Sequence, residues 1–212
     1  MNQNQLVTQI GYRIRTASRN FVTSTEITTE LNRSIDRLSG MVDLEESIAT
    51  TTIAFTADGS YALPSDFKKP ITLYDRTNNH RYKRVSLSEL YGAEDGSEKL
   101  YAIDGSNVTI ERGDGSVTLT LTYYSTNDSQ TSGGTKQKGL SATTDLPLLE
   151  PRFHDYFVED VSATIFRKER KYDDYQIAKG EARTILKDIY DANTTREESI
   201  VTVISGYPET YE

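Results

Sequence analysis

The sequence predicts an α+β protein: a four-helix bundle built from N- and C-terminal helix pairs, an inserted small antiparallel β domain and an extended C-terminal tail. Two observations predict it. Apolar residues recur every three or four positions up to residue 43, alternate from 51 to 124, and return to helical spacing from 146. Each helical pair alone is too small to bury its stripe, so packing all four together is the economical solution. The expected division is 1–43 with 146–191 as the helical domain, 44–124 as the β domain, 125–145 as a flexible loop and 192–212 as a C-terminal arm.

The first helix is expected from Leu6, Ile10, Ile14 and Ala17 at helical spacing. Thr23 and Glu26 match a capping box, in which the hydroxyl accepts a helical N–H and the glutamate reaches back. Ile27, Leu31, Ile35, Leu38 and Val42 then form one stripe, with Glu30, Arg33 and Arg37 opposite. In the β segment, Ile53 with Phe55, Val108 with Ile110, and Val117, Leu119, Leu121 with Tyr123 alternate with polar residues. Asp58-Gly59, Asp104-Gly105 and Asp114-Gly115 read as hairpin turns. About six or seven strands fit, and "SLSELYG" (86–92) reads as one helical turn.

Residues 125–145 carry almost no apolar side chains and suit a functional or partner-ordered loop. Asp145 is a candidate helix cap, and Pro147 and Pro151 suit a first turn. Phe153, Phe157, Val161 and Ile165 mark the third helix. Ile177, Ala178, Ala182, Ile185, Leu186 and Ile189 mark the fourth, expected from about Asp173 to Ala192. The tail contains a strand-like "SIVTVI" with no core waiting for it.

Composition narrows the function. The chain of 212 residues carries a net charge of −8, divided as +1, −4 and −5 over residues 1–43, 44–145 and 146–212. No region is a basic patch, which argues against wrapping DNA, because phosphate neutralisation needs clustered cations. There is no cysteine, so disulfide and thiolate chemistry is excluded. No apolar run is long enough to span a membrane. His80 and His154 lack the convergent partners of a metal site, and no nucleophile elbow or phosphate-binding loop occurs. No enzyme, metal or cofactor is expected. Arg112-Gly113-Asp114 at a turn is read as turn chemistry. Fourteen tyrosines without tryptophan suit interfaces, with Tyr123, Tyr124, Tyr172, Tyr175, Tyr207 and Tyr211 as candidates.

The stretch "YALPSDFKKP" (61–70) holds two of the five prolines. Pro64 ends strand pairing at Leu63, Ser65 and Asp66 hold a turn, and Phe67 returns under the sheet: a rigid corner. Here the chain resembles head-to-tail adaptor (connector) proteins of tailed bacteriophages, the SU10-type adaptor family. The resemblance rests on four segments in order: "ELNRSIDRLS", "TIAFTADGSYALPSDFKKPITLYD", "YAIDGSNVTIERGDGSVTLTLTYYS" and "TDLPLLEPRFHDYFVEDVSATIFRKERKYDDYQIAKGEARTILKDI". It covers residues 5 to 191, and the 125–145 insert is longer than the usual link.

The resemblance implies a virion structural protein at the head–tail neck, met in the host cytoplasm during assembly. It implies a homo-oligomeric ring, commonly twelvefold, below the portal protein, docking a tail or nozzle protein. Genomic DNA would pass through without sequence-specific binding, and no membrane is involved. The tail is the expected docking arm, with Ile200, Val201, Val203, Tyr207, Pro208 and Tyr211 as candidate portal or partner contacts. The competing expectation is a non-catalytic binding module, a sugar- or protein-binding β domain on a helical stalk.

Overall fold

Asn2 and Gln5 open the first helix by exchanging backbone and side-chain hydrogen bonds at 2.9 Å each way. The computed structural model describes residues 1–17, 22–56, 59–92, 99–110 and 116–204, with only the backbone at 15–17 and 195–204. In chain order these form α1 (Gln3–Ala17), α2 (Ser24–Met41), β1 (Ile48–Phe55), β2 (Ser60–Ala62), β3 (Phe67–Asp75) and β4 (His80–Arg84). There follow α3 (Leu87–Gly92), β5 (Leu100–Asp104), β6 (Asn107–Ile110) and β7 (Val117–Ser125). The chain closes with β8 (Ser129–Gln130), β9 (Lys136–Gln137), β10 (Leu146–Pro147), α4 (Asp155–Lys168) and α5 (Tyr172–Ile204). The α+β class is therefore correct. Two units separate: Met1–Ser47 with Asn127–Glu212, and Ile48–Thr126.

In the first unit the helical stripes meet in one core. Leu6, Ile10 and Ile14 of α1 and Ile27, Leu31, Ile35 and Leu38 of α2 are buried with Phe157, Val161, Ile165 and Phe166 of α4. Ala178, Ala182 and Ile189 of α5 complete it. α4 is buried around most of its circumference, as expected of a helix enclosed by others. Thr23 caps α2 by accepting the Glu26 N–H at 3.2 Å. The glutamate does not close the box; it accepts from Lys168 of α4 at 3.2 Å.

The 125–145 stretch does not lack regular structure. β8 pairs with β9 and β10 in a small sheet, and the segment lies on the helices through polar contacts. Asn32 of α2 mimics a strand, accepting the Leu140 N–H at 2.8 Å and donating to its carbonyl at 3.2 Å. Lys138 joins Asp128 at 2.7 Å and Asp36 of α2 at 2.5 Å. Asp145 caps no helix, since α4 begins ten residues later. Its carboxylate instead accepts from the Ser141 and Ala142 N–H groups at 2.8 and 2.7 Å and from Gln137 at 2.7 Å. The Ala142 N–H above all holds that carboxyl below its usual range. Pro147 lies in β10, whereas Pro151 does occupy a first turn, that of a short 3-10 helix before α4.

α5 is the second correction. It does not stop near Ala192: its backbone stays helical through "SIVTVI" to Ile204. The β preference of Ile and Val is weak without a partner strand, and an existing helix gains one bond per added residue.

In the second unit the strand order is β1-β7-β3-β4-β5-β6-β2, antiparallel except for the β4–β5 pair. Ile53, Phe55, Val108, Ile110, Leu119 and Leu121 fill its interior, the alternation read from sequence, and Leu73 of β3 joins them. α3 occurs where one helical turn was expected, and its Ser86 and Glu89 form a capping box at 2.8 and 3.2 Å. Of the three Asp-Gly turns, Asp104-Gly105 joins a true hairpin, β5–β6. Gly59 does not join paired strands, because β1 pairs with β7 and β2 with β6. The Phe55 and Tyr61 rings, 6.2 Å apart, bring the two end strands together, so the sheet approaches a barrel. Asp114-Gly115 and the Arg112-Gly113-Asp114 triplet lie outside the described residues.

Candidate interaction surfaces

Among the described residues no group of three or more His, Cys, Asp or Glu could hold a metal ion. His80 is exposed on β4. His154 is buried, with Nε2 2.8 Å from the Leu149 carbonyl, and burial lowers its affinity for a proton. The other ring nitrogen, Nδ1, lies 2.5 Å from the Met1 amino group, so His154 ties the chain's first residue to the approach to α4.

Two of the tyrosines expected at interfaces are core residues. Tyr123 and Tyr124 close β7 with 4% and 5% of their surface exposed. The Tyr123 hydroxyl donates to Asp66 at 2.8 Å, and its ring lies 5.5 Å from that of Phe67. The Asp66 carbonyl accepts the Thr126 N–H at 2.7 Å, and Pro64 accepts the Phe67 N–H at 3.0 Å. Lys69 lies over the Tyr124 ring at 5.6 Å. Pro64 therefore shapes a corner whose Asp-Phe pair grips Tyr123, an interaction between segments far apart in sequence, while Pro70 lies within β3 at a register shift. Burial and the Asp66 hydrogen bond push the Tyr123 phenol up to about 12. Y123F is expected to cost about 1 kcal/mol of stability, the worth of one partly exposed hydrogen bond, measured by urea denaturation.

Tyr172 is exposed at the start of α5, and Tyr175 is half-buried against the core. Tyr207 and Tyr211, with Pro208, lie outside the described residues. Ile200, Val201 and Val203 fall in the last turns of the α5 backbone. The last core residue of α5 among the described side chains is Ile189, and the helix continues fifteen residues further, from 190 to 204. At 1.5 Å per residue that is about 22 Å of helix. Tyr12, Tyr91 and Tyr190 are also exposed and were not singled out from sequence. For Tyr12 the signal was present, since it falls between Ile10 and Ile14 off the α1 stripe.

Two charged features were also missed. In the β unit, Arg81, Lys83 and Arg84 are exposed and line an open cleft with Ile71, Tyr82 and Tyr101. Burial raises the Tyr101 phenol, against the opposing pull of the Arg84 and Arg81 charges. Among the described residues neither Arg81 nor Arg84 makes an ion pair. In the helical unit, Asp155, Glu159 and Glu181 line a groove between α4 and α5 with Val158 and Ile185. Arg13 of α1 serves Glu159 at 3.2 Å and Glu181 at 2.9 Å. Burial and the neighbouring Glu181 carboxyl hold the Glu159 carboxyl above its usual range despite that guanidinium.

The model of one protein family, described as SU10 adaptor protein, matches residues 1–203. No curated protein matches the chain.

Proposed function

The chain belongs to the SU10 adaptor protein family, non-catalytic head-to-tail adaptors of tailed bacteriophages that bridge portal and tail at the virion neck, and from that premise we propose how it docks. The end of α5 and the residues after it, with Ile200, Val201, Val203, Tyr207, Pro208 and Tyr211, form the arm that binds the portal protein. The run of α5 backbone beyond Ile189, the last core residue among the described side chains, supports this reading, because helices gain most of their stability from packing a face against another surface. The helical unit acts as a four-helix bundle carrying the β unit as an insertion. Twelve copies form the ring, and a tail or nozzle protein docks on it after assembly in the host cytoplasm. Genomic DNA passes without sequence-specific contacts, in keeping with a chain of net charge −8.

Mixing the purified chain with the portal ring, and sizing the mixture against each alone, tests the reading. The intact chain should move onto the ring with ring-like stoichiometry. A chain lacking residues 199–212 should keep its thermal midpoint and lose portal binding. Unchanged binding by the truncated chain would overturn the arm.

A further inference from the structure

A closed ring is built from unlike surfaces on one subunit, since each copy offers one patch forward and a different one backward. We propose that the cationic cleft of β4 on one copy docks into the acidic groove between α4 and α5 of the next copy. This rests on the ring reading above and assigns the surfaces that close it.

The two surfaces are complementary in charge and in apolar content. The cleft presents Arg81 and Arg84, which have no carboxylate partner among the described residues, beside Ile71 and Tyr101. The groove presents Asp155, Glu159 and Glu181 beside Val158 and Ile185, with Arg13 shared between two of its acids. Carboxylates that share one guanidinium gain from a second, and arginine is the cation best suited to bidentate pairing at an interface. The distribution of charge points to the helical unit as the receiver. It holds 16 Lys and Arg against 22 Asp and Glu, a net of −6, whereas the β unit holds 8 against 10, a net of −2. Duplex DNA is the weaker fit, because a strand with three cations on a chain of net charge −8 offers few phosphate contacts.

The test is charge reversal with reciprocal rescue in the full chain. R81E/R84E should keep the wild-type thermal midpoint, because both side chains are exposed and make no ion pair among the described residues. Its copy-to-copy association on the portal ring should fall about a hundredfold, the cost of placing like charges across an interface. D155K/E181K should weaken assembly alone and restore it when mixed with R81E/R84E. Wild-type assembly should weaken as salt rises. Full ring loading by R81E/R84E, or no rescue in the mixture, overturns the proposal while leaving portal docking intact. Full loading by that variant with loss of duplex DNA retention would assign the cleft to nucleic acid and also overturn it. A wild-type chain that never loads onto the portal overturns the ring reading and this inference with it.

Discussion

Replacing Asp160 by alanine is expected to destabilise the protein by about 3 kcal/mol. Asp160 lies on α4 with 3% of its surface exposed. It accepts from Ser34 of α2 at 2.7 Å, from Arg37 of α2 and from Lys179 of α5 at 3.2 Å. One carboxylate thus joins three helices, and its loss strands the Ser34 hydroxyl, which is wholly buried. Arg37 and Lys179 keep 46% and 36% of their side chains exposed, so they return to water, and the cost stays at the low end for a broken buried pair. The same group sets an acid limit. Burial pushes its carboxyl up, but the Ser34 and Arg37 hydrogen bonds and the Arg37 and Lys179 charges outweigh that and hold it below 3.8. A lowered folded value means the stabilisation is present above 3.8 and is lost as the pH falls through the folded value. Urea denaturation between neutral pH and pH 2.5 should show that D160N loses part of the wild-type acid dependence. An unchanged pH profile would mean that the helices are not joined by this charge.

The second large effect is expected at Gly59, where G59V should cost about 3 kcal/mol. The residue has φ +68°, which penalises a β-branched side chain. A Cβ there would come within 2.9 Å of the Ile110 carbonyl oxygen. The Gly59 carbonyl accepts the Ile110 N–H at 2.7 Å, so this glycine ties the β1–β2 link to the end of β6. Gly105, at φ +56°, provides the control, because a Cβ there meets open space. G105A should cost about 1 kcal/mol, the conformational part alone. Equal losses for G59A and G105A would show that close approach contributes nothing at Gly59.

The helical stripes and alternating strands were legible because burial imposes a period on the chain, and Ile27–Leu38 and Val117–Tyr123 carry it cleanly. The 127–145 stretch was illegible for the converse reason. Its order comes from Asn32, Asp128 and Asp145 bonding backbone groups, and polar residues leave no period in a sequence. The Asp58-Gly59 turn misled because a local turn signal cannot report that its strands pair elsewhere. The basic cleft was diluted by counting charge over a hundred residues, when three cations within β4 were enough to read.

By itself the sequence determined an α+β chain with helices at both ends, a strand region of two-residue period and its likeness to the SU10 adaptor family. These depend on local spacing and on turn residues, which are written along the chain. Only the tertiary structure decided that Asp66 meets Tyr123, that one carboxylate joins three helices, and that the α5 backbone stays helical to Ile204. Such contacts join positions separated by tens to more than a hundred residues, and no local period records which distant partner satisfies a buried polar group.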